Sequence, residues 1–223
     1  MEQLFQRLAP SCAMVLKKNP ATNAVDFLGS AFAVREDGHL FTAAEVVKDQ
    51  ESVLVSPAED ALGFQPTNRE QLRCLAAVVV ARDTRNNVAL LRLTEPGVAL
   101  RLSHDILGES ESLRPGAAVM HLGFPFGRHG SVALTLRTGH LAAKVTNPDG
   151  SRQLVVESSM YSGAAGGPVI DVRRGSIVGM LTSQLALLPK EEPGSPRKLV
   201  MPIQTDMSLA APIEAGLALL SAA

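Results

Sequence analysis

The chain has 223 residues, 46% of them apolar, with a net charge of −1, 4% aromatic residues and no Trp. That is enough apolar material to bury a substantial core, as one large all-β unit or two small ones. The absence of a basic stripe and of stacking aromatics speaks against a nucleic-acid binder, and apolar runs such as 75–81 are too short to cross a bilayer.

Residues 1–9 predict a short amphipathic helix, with Leu4, Phe5 and Leu8 on one face and Pro10 at its end. The N-terminus shows no basic region followed by an apolar one, so no signal peptide is expected. Short β-type runs follow at 11–17, 27–35, 38–43, 52–56, 72–81 and 87–93, bounded by turns such as Asn19-Pro20, Glu36-Asp37-Gly38 and Arg82-Asp83-Thr84. Residues 94–116 read as a linker. A second set of strands is predicted at 117–123, 130–145, 152–157, 167–172, 176–183 and 198–203, with a hairpin signal at Asn147-Pro148-Asp149-Gly150. Two sets of six short strands predict an all-β fold of two six-stranded antiparallel β-barrels, at about 10–95 and 117–205. The charged, proline-rich stretch 186–198 reads as a mobile surface loop. From about 206 to 222, Ile213, Leu217 and Leu220 predict a closing helix, with Pro212 obscuring its start.

One stretch stands apart. Residues 162–167 hold three glycines and two alanines, and Pro168-Val169-Ile170 follow at once. Such a turn brings backbone groups close to a neighbour and can aim successive N–H groups into one concavity. No reactive side chain stands in the turn itself. Cys12 and Cys74 both sit in apolar runs and read as buried free thiols of a reducing compartment. A disulfide between neighbouring strands is the alternative. No Cys/His spacing matches a zinc site, and no metal or cofactor is expected. A cytoplasmic location follows from these readings.

Three segments in order resemble the trypsin/chymotrypsin-like serine proteases, most closely the HtrA/Deg branch. The run from Gly29-Ser30-Ala31-Phe32 through Asp37-Gly38 and Thr42 to Glu45-Val46-Val47 is similar to G-S-G-F-x-x-x-x-D-G-x-x-x-T-x-x-H-V-V. The run from Asp83 to Leu91, with Asn87-Val88-Ala89, is similar to D-x-x-x-D-[IL]-A-[LV]-L. Gly163 to Val169 resembles G-N-S-G-G-P-[LV]. Weaker matches are Val119 to Gly127 and Met201-Pro202-Ile203. The resemblance spans about residues 10 to 215 and implies a single protease-fold domain without a PDZ domain.

The departures are chemical. In this family a Ser attacks, a His takes its proton and an Asp orients the His. By the resemblance Glu45 stands at the His position, Asn87 at the Asp position and Ala165 at the Ser position. A methyl group cannot attack a carbonyl, and an amide cannot supply the charge that stabilises an imidazolium. Asn beside Glu avoids two adjacent carboxylates and lets an amide N–H face the carboxyl group. Gly163, Ala164 and Ala165 retain the small residues of an oxyanion turn, with Gly163 and Ala165 as the expected N–H donors. Ser159 and Met160 are expected at the floor of the side-chain pocket and Ser162 at its rim. None of the five histidines stands at a triad position, and His129, beside Arg128, is the one nearest the expected cleft.

Two readings of the retained glycines stay open: that the turn needs them to form, or that the cleft still binds an extended peptide, by strand addition along 178–184. The implied function is a non-catalytic binding, scaffold or regulatory module with a protein or peptide partner, and HtrA relatives make a homo-oligomer an option. The alternatives are a hydrolase using Glu45 as base, or an inactivated form of a working endopeptidase.

Overall fold

The computed structural model describes all residues except 23, 60, 68–70, 96–97, 99, 101–105 and 188–202. A seven-residue helix α1 (Glu2–Leu8) leads into β1 (Cys12–Lys18), β2 (Val25–Ala33), β3 (His39–Thr42), β4 (Ser52–Pro57), β5 (Leu75–Asp83) and β6 (Val88–Leu93). After the connection come β7 (Ala118–Gly123), β8 (Thr135–Thr146), β9 (Arg152–Glu157), β10 (Pro168–Asp171), β11 (Ser176–Leu187), β12 (Ile203–Pro212) and α2 (Ile213–Ala222).

The strands close two antiparallel barrels, and each set follows the same cyclic order. The first runs β1-β2-β3-β6-β5-β4, the second β7-β8-β9-β12-β11-β10. Closure pairs most strands on both sides, which suits short half-buried strands that would otherwise expose unpaired backbone, while β11 beyond Leu181 pairs with β12 alone. Buried side chains pack the first barrel and the layer beneath α2: Phe32 and Phe41, both almost fully buried, meet edge to face at 6.0 Å. Each such side chain contributes roughly 1.5–3 kcal/mol through burial.

Three expectations shift. The closing helix begins at Ile213, and 206–212 are strand. The reason is barrel closure: β12 pairs with both β11 and β9, so the backbone of Ser208 to Ala210 is held on two sides. Helical spacing in the tail holds only beyond Pro212, which caps α2. The strand expected from 130 starts at Thr135, because Gly127–His129 forms a 3-10 turn that ends at Gly130 with φ +82°. Cys74 is half-buried rather than buried, and both cysteines are free. Burial pushes the Cys12 thiol up to about 12, which leaves it inert. The predicted hairpin at 147–150 forms, with the Gly150 N–H donating to the Asn147 carbonyl at 2.8 Å. The mobile loop expected within 186–198, the strand expected from 198 and the match at Met201-Pro202 lie largely outside the described residues.

Candidate functional site

The two barrels meet at the glycine-rich turn. Ser162–Ala164 form a single 3-10 turn, Ala165 follows in extended conformation, and Pro168 opens β10. At Gly166 φ is +88°, and a Cβ there would lie 2.0 Å from the Ser30 carbonyl oxygen. At Gly167 a Cβ would lie 2.0 Å from the Leu122 carbonyl oxygen. No other side chain fits either place.

Ser30, on β2, clasps this turn to the first barrel. Its N–H donates to the Ala165 carbonyl at 2.8 Å, and its hydroxyl donates to the Gly163 carbonyl at 2.8 Å. The same hydroxyl accepts the Phe124 N–H at 3.0 Å, and the Ser30 carbonyl accepts the Thr42 hydroxyl at 2.7 Å. Ser30 is 1% exposed, so these bonds form where water cannot replace them.

The turn is closed on itself. The Ala164 N–H donates to the Tyr161 carbonyl at 2.8 Å, and the Ala165 N–H is directed at the Ser162 carbonyl at 3.4 Å. Gly163 packs with its α-carbon against the Phe124 carbonyl. The Ala165 donor expected to face the cleft is therefore turned inward. Small residues permit an oxyanion turn, but they permit this closed form equally.

The opposite wall comes from two short connections of the first barrel. Glu45 lies in the 3-10 turn Ala44–Val47, and Asn87 in the β5–β6 connection. Asn87 has φ +55°, the one positive value at a non-glycine residue among the described residues, a conformation Asn tolerates better than most. Its carbonyl accepts the Ala44 N–H at 3.2 Å, and its side-chain Oδ1 accepts the Glu45 N–H at 2.9 Å. Partial burial raises the Glu45 pKa; the Asn87 side chain and the charge of Arg128 oppose that rise without cancelling it. Glu45 and Asn87 are thus partners, through the backbone N–H as well as through the carboxyl group.

Between these walls lies a cleft of about 520 Å³ lined by Glu45, Arg128, Met160, Ser162 and Ala165, and on β11 by Thr182, Ser183 and Gln184. Met160 and Ser162 stand where pocket residues were expected. Ser159 is half-buried and does not line the cleft. Its neighbour Ser158 is buried and lies 3.1 Å from Nε2 of His121. Burial, with the charge of Arg137, lowers the His121 pKa to about 4, so this histidine packs as a neutral ring. His129 is exposed on the 127–129 turn, and it is Arg128 that reaches the cleft. Sequence reasoning did not single out Ser30 or Arg128 for a role; both sat inside or beside quoted motifs. Among the described residues no group of three His, Cys, Asp or Glu could hold a metal, and no helix is long and apolar enough to cross a membrane.

The trypsin-like peptidase domain model matches residues 29–180, a span running from the strand that clasps the turn to the strand that lines the cleft. The chain belongs to the trypsin-like peptidase family. As a trypsin-like domain it is 26% identical over 170 residues to the magnetosome formation protease MamE of Magnetospirillum gryphiswaldense, covering 74% of this chain and 20% of that protein. It is 28% identical over 183 residues to a probable periplasmic serine endoprotease, DegP-like, of Ectopseudomonas mendocina, covering 80% of this chain and 33% of that one. The solved structure of the HtrA-type protease AlgW with decapeptide superimposes with a TM-score of 0.71 at 19% identity, over 99% of this chain and 66% of that one. The trypsin-like domain thus spans a fifth to a third of these two curated relatives.

Proposed function

We propose that the chain is a non-catalytic trypsin-like domain that binds an extended peptide in the inter-barrel cleft. The observation that carries this reading is the make-up of the two walls: a methyl group at Ala165 faces a carboxyl group at Glu45 whose partner is the Asn87 amide. No hydroxyl in the cleft is hydrogen-bonded to that carboxyl group among the described residues, so no activated nucleophile is assembled. The turn supports the reading further, since the Ala165 N–H, one of the two expected oxyanion donors, is directed at the Ser162 carbonyl instead of into the cleft. Peptide binding is supported by the likeness to AlgW, a protein solved with a decapeptide, and by strand β11 lining the cleft.

A fluorophosphonate probe tests the absence of catalysis. No labelling of the native fold is expected, whereas covalent labelling abolished by boiling would sink the reading. A hydrolase using Glu45 as general base is the second reading, favoured by its raised pKa. It requires peptide hydrolysis that Glu45→Gln abolishes.

A further inference from the structure

We propose that the cleft selects a basic residue in its peptide, a lysine or arginine side chain held by Glu45. This rests on the peptide-binding reading and specifies its ligand. The walls of the cleft present several acceptors. The Ala164 and Ala165 N–H groups are directed at carbonyls of their own turn, so a carboxylate or carbonyl gains nothing from them. On the β11 wall, the Thr182 hydroxyl donates to the Leu209 carbonyl at 3.1 Å, leaving that oxygen to act as an acceptor. The Gln184 amide nitrogen donates to the Thr205 carbonyl at 2.7 Å, and its Oε1 is a further acceptor on this wall.

Glu45 is the one acidic residue lining the cleft among the described residues. Asn87 fixes its backbone and is the hydrogen-bonding neighbour of its carboxyl group, which forms no ion pair within 4.0 Å among the described residues. Such a carboxylate, open to the cleft yet raised in pKa by the desolvation it meets there, gains from a cation that approaches it. The charged groups facing it are few. Arg128, from the 127–129 turn, lies near enough to act through its charge, and the other lining side chains are neutral. Arg128 restricts the cleft to a single cation and competes mildly with it. A compact ammonium or a guanidinium, both donor-only groups, matches acceptors on two walls.

Fluorescence anisotropy with labelled heptapeptides tests this. One set moves a single lysine along an Ala/Val sequence; matched sets carry norleucine or glutamate instead. The best lysine register is expected to bind roughly tenfold tighter than its norleucine counterpart at low salt, with glutamate weakest. Glu45→Gln is expected to erase the lysine advantage without weakening the norleucine peptide. Arg128→Ala is expected to enlarge it, and it serves as an independent check should Glu45→Gln disturb folding. Equal binding of lysine and norleucine peptides, or a lysine preference that survives Glu45→Gln, would overturn the selectivity while leaving peptide binding intact. Failure of every peptide to bind at millimolar concentration would overturn the peptide reading itself.

Discussion

The two walls of the cleft are built by opposite rules. The turn of the second barrel is over-determined: Gly166 and Gly167 admit no side chain, and Ser30 ties two of its carbonyls. On the wall of the first barrel the backbone is held by Asn87 and by its own turn, while the Glu45 side chain itself is loosely held. Retention of the glycines therefore needs no functional cause, since packing demands them. Glu45 carries no such packing demand. It is exposed, its side chain has few partners, and a polar residue of another kind would fit. The lesson is that function is better sought in the loosely held wall than in the conspicuous motif.

The largest expected effect would confirm the rigid side. Gly167→Val drives a side chain into the Leu122 carbonyl and is expected to cost about 4 kcal/mol or more, read by chemical denaturation. A tolerated valine would break the comparison. Behind the turn, His121 pairs in register with Val169 and contacts Ser158. Its folded pKa of about 4 lies below the ordinary 6.5, so the unfolded chain takes up the proton first. Stability present above pH 6.5 is lost as the pH falls toward 4, by roughly 3 kcal/mol, and His121→Gln should flatten that part of the profile.

Ser30→Ala leaves the buried Phe124 N–H without its acceptor and is expected to cost about 2–3 kcal/mol. On the loose wall the effects shrink. Asn87→Ala should cost about 1–2 kcal/mol, and Asn87→Gly, which keeps the positive φ, about 1 kcal/mol. Equal losses would mean that the backbone conformation contributes nothing. Smallest is Glu45→Gln, expected within about 0.5 kcal/mol. Its sign is specific: a carboxyl group with a raised folded pKa destabilises the fold as pH rises through that value. The variant should therefore equal the native protein in acid and be slightly more stable at neutral pH.

Much of the fold was legible because its signals are local. Alternation and turn residues marked most strand positions, and Asn147 to Gly150 marked a hairpin that forms as expected. Strand β12 escaped because its identity is settled by pairing with β11 and β9, which no local pattern records. At the site, residue types at 45, 87 and 165 were readable, and the contact of Glu45 with Asn87 followed from motif order. The direction of the Ala165 N–H was not, since alanine and glycine permit more than one peptide orientation. The clasp by Ser30 joins residues more than a hundred positions apart and leaves no spacing to detect.

One further consequence belongs to synthesis. Helix α2 packs on β5 and β6 of the first barrel, with Gly216 seated on the ring of Phe41. Its Glu214 grips the N–H and hydroxyl of Ser110 at 2.8 and 2.7 Å. The barrel made first is thus covered by the described element made last. At ribosomal rates of about 5–20 residues per second, roughly ten seconds separate the end of β6 from the arrival of that cover. During that interval the nascent first barrel shows an aromatic patch around Phe41 that the finished protein hides.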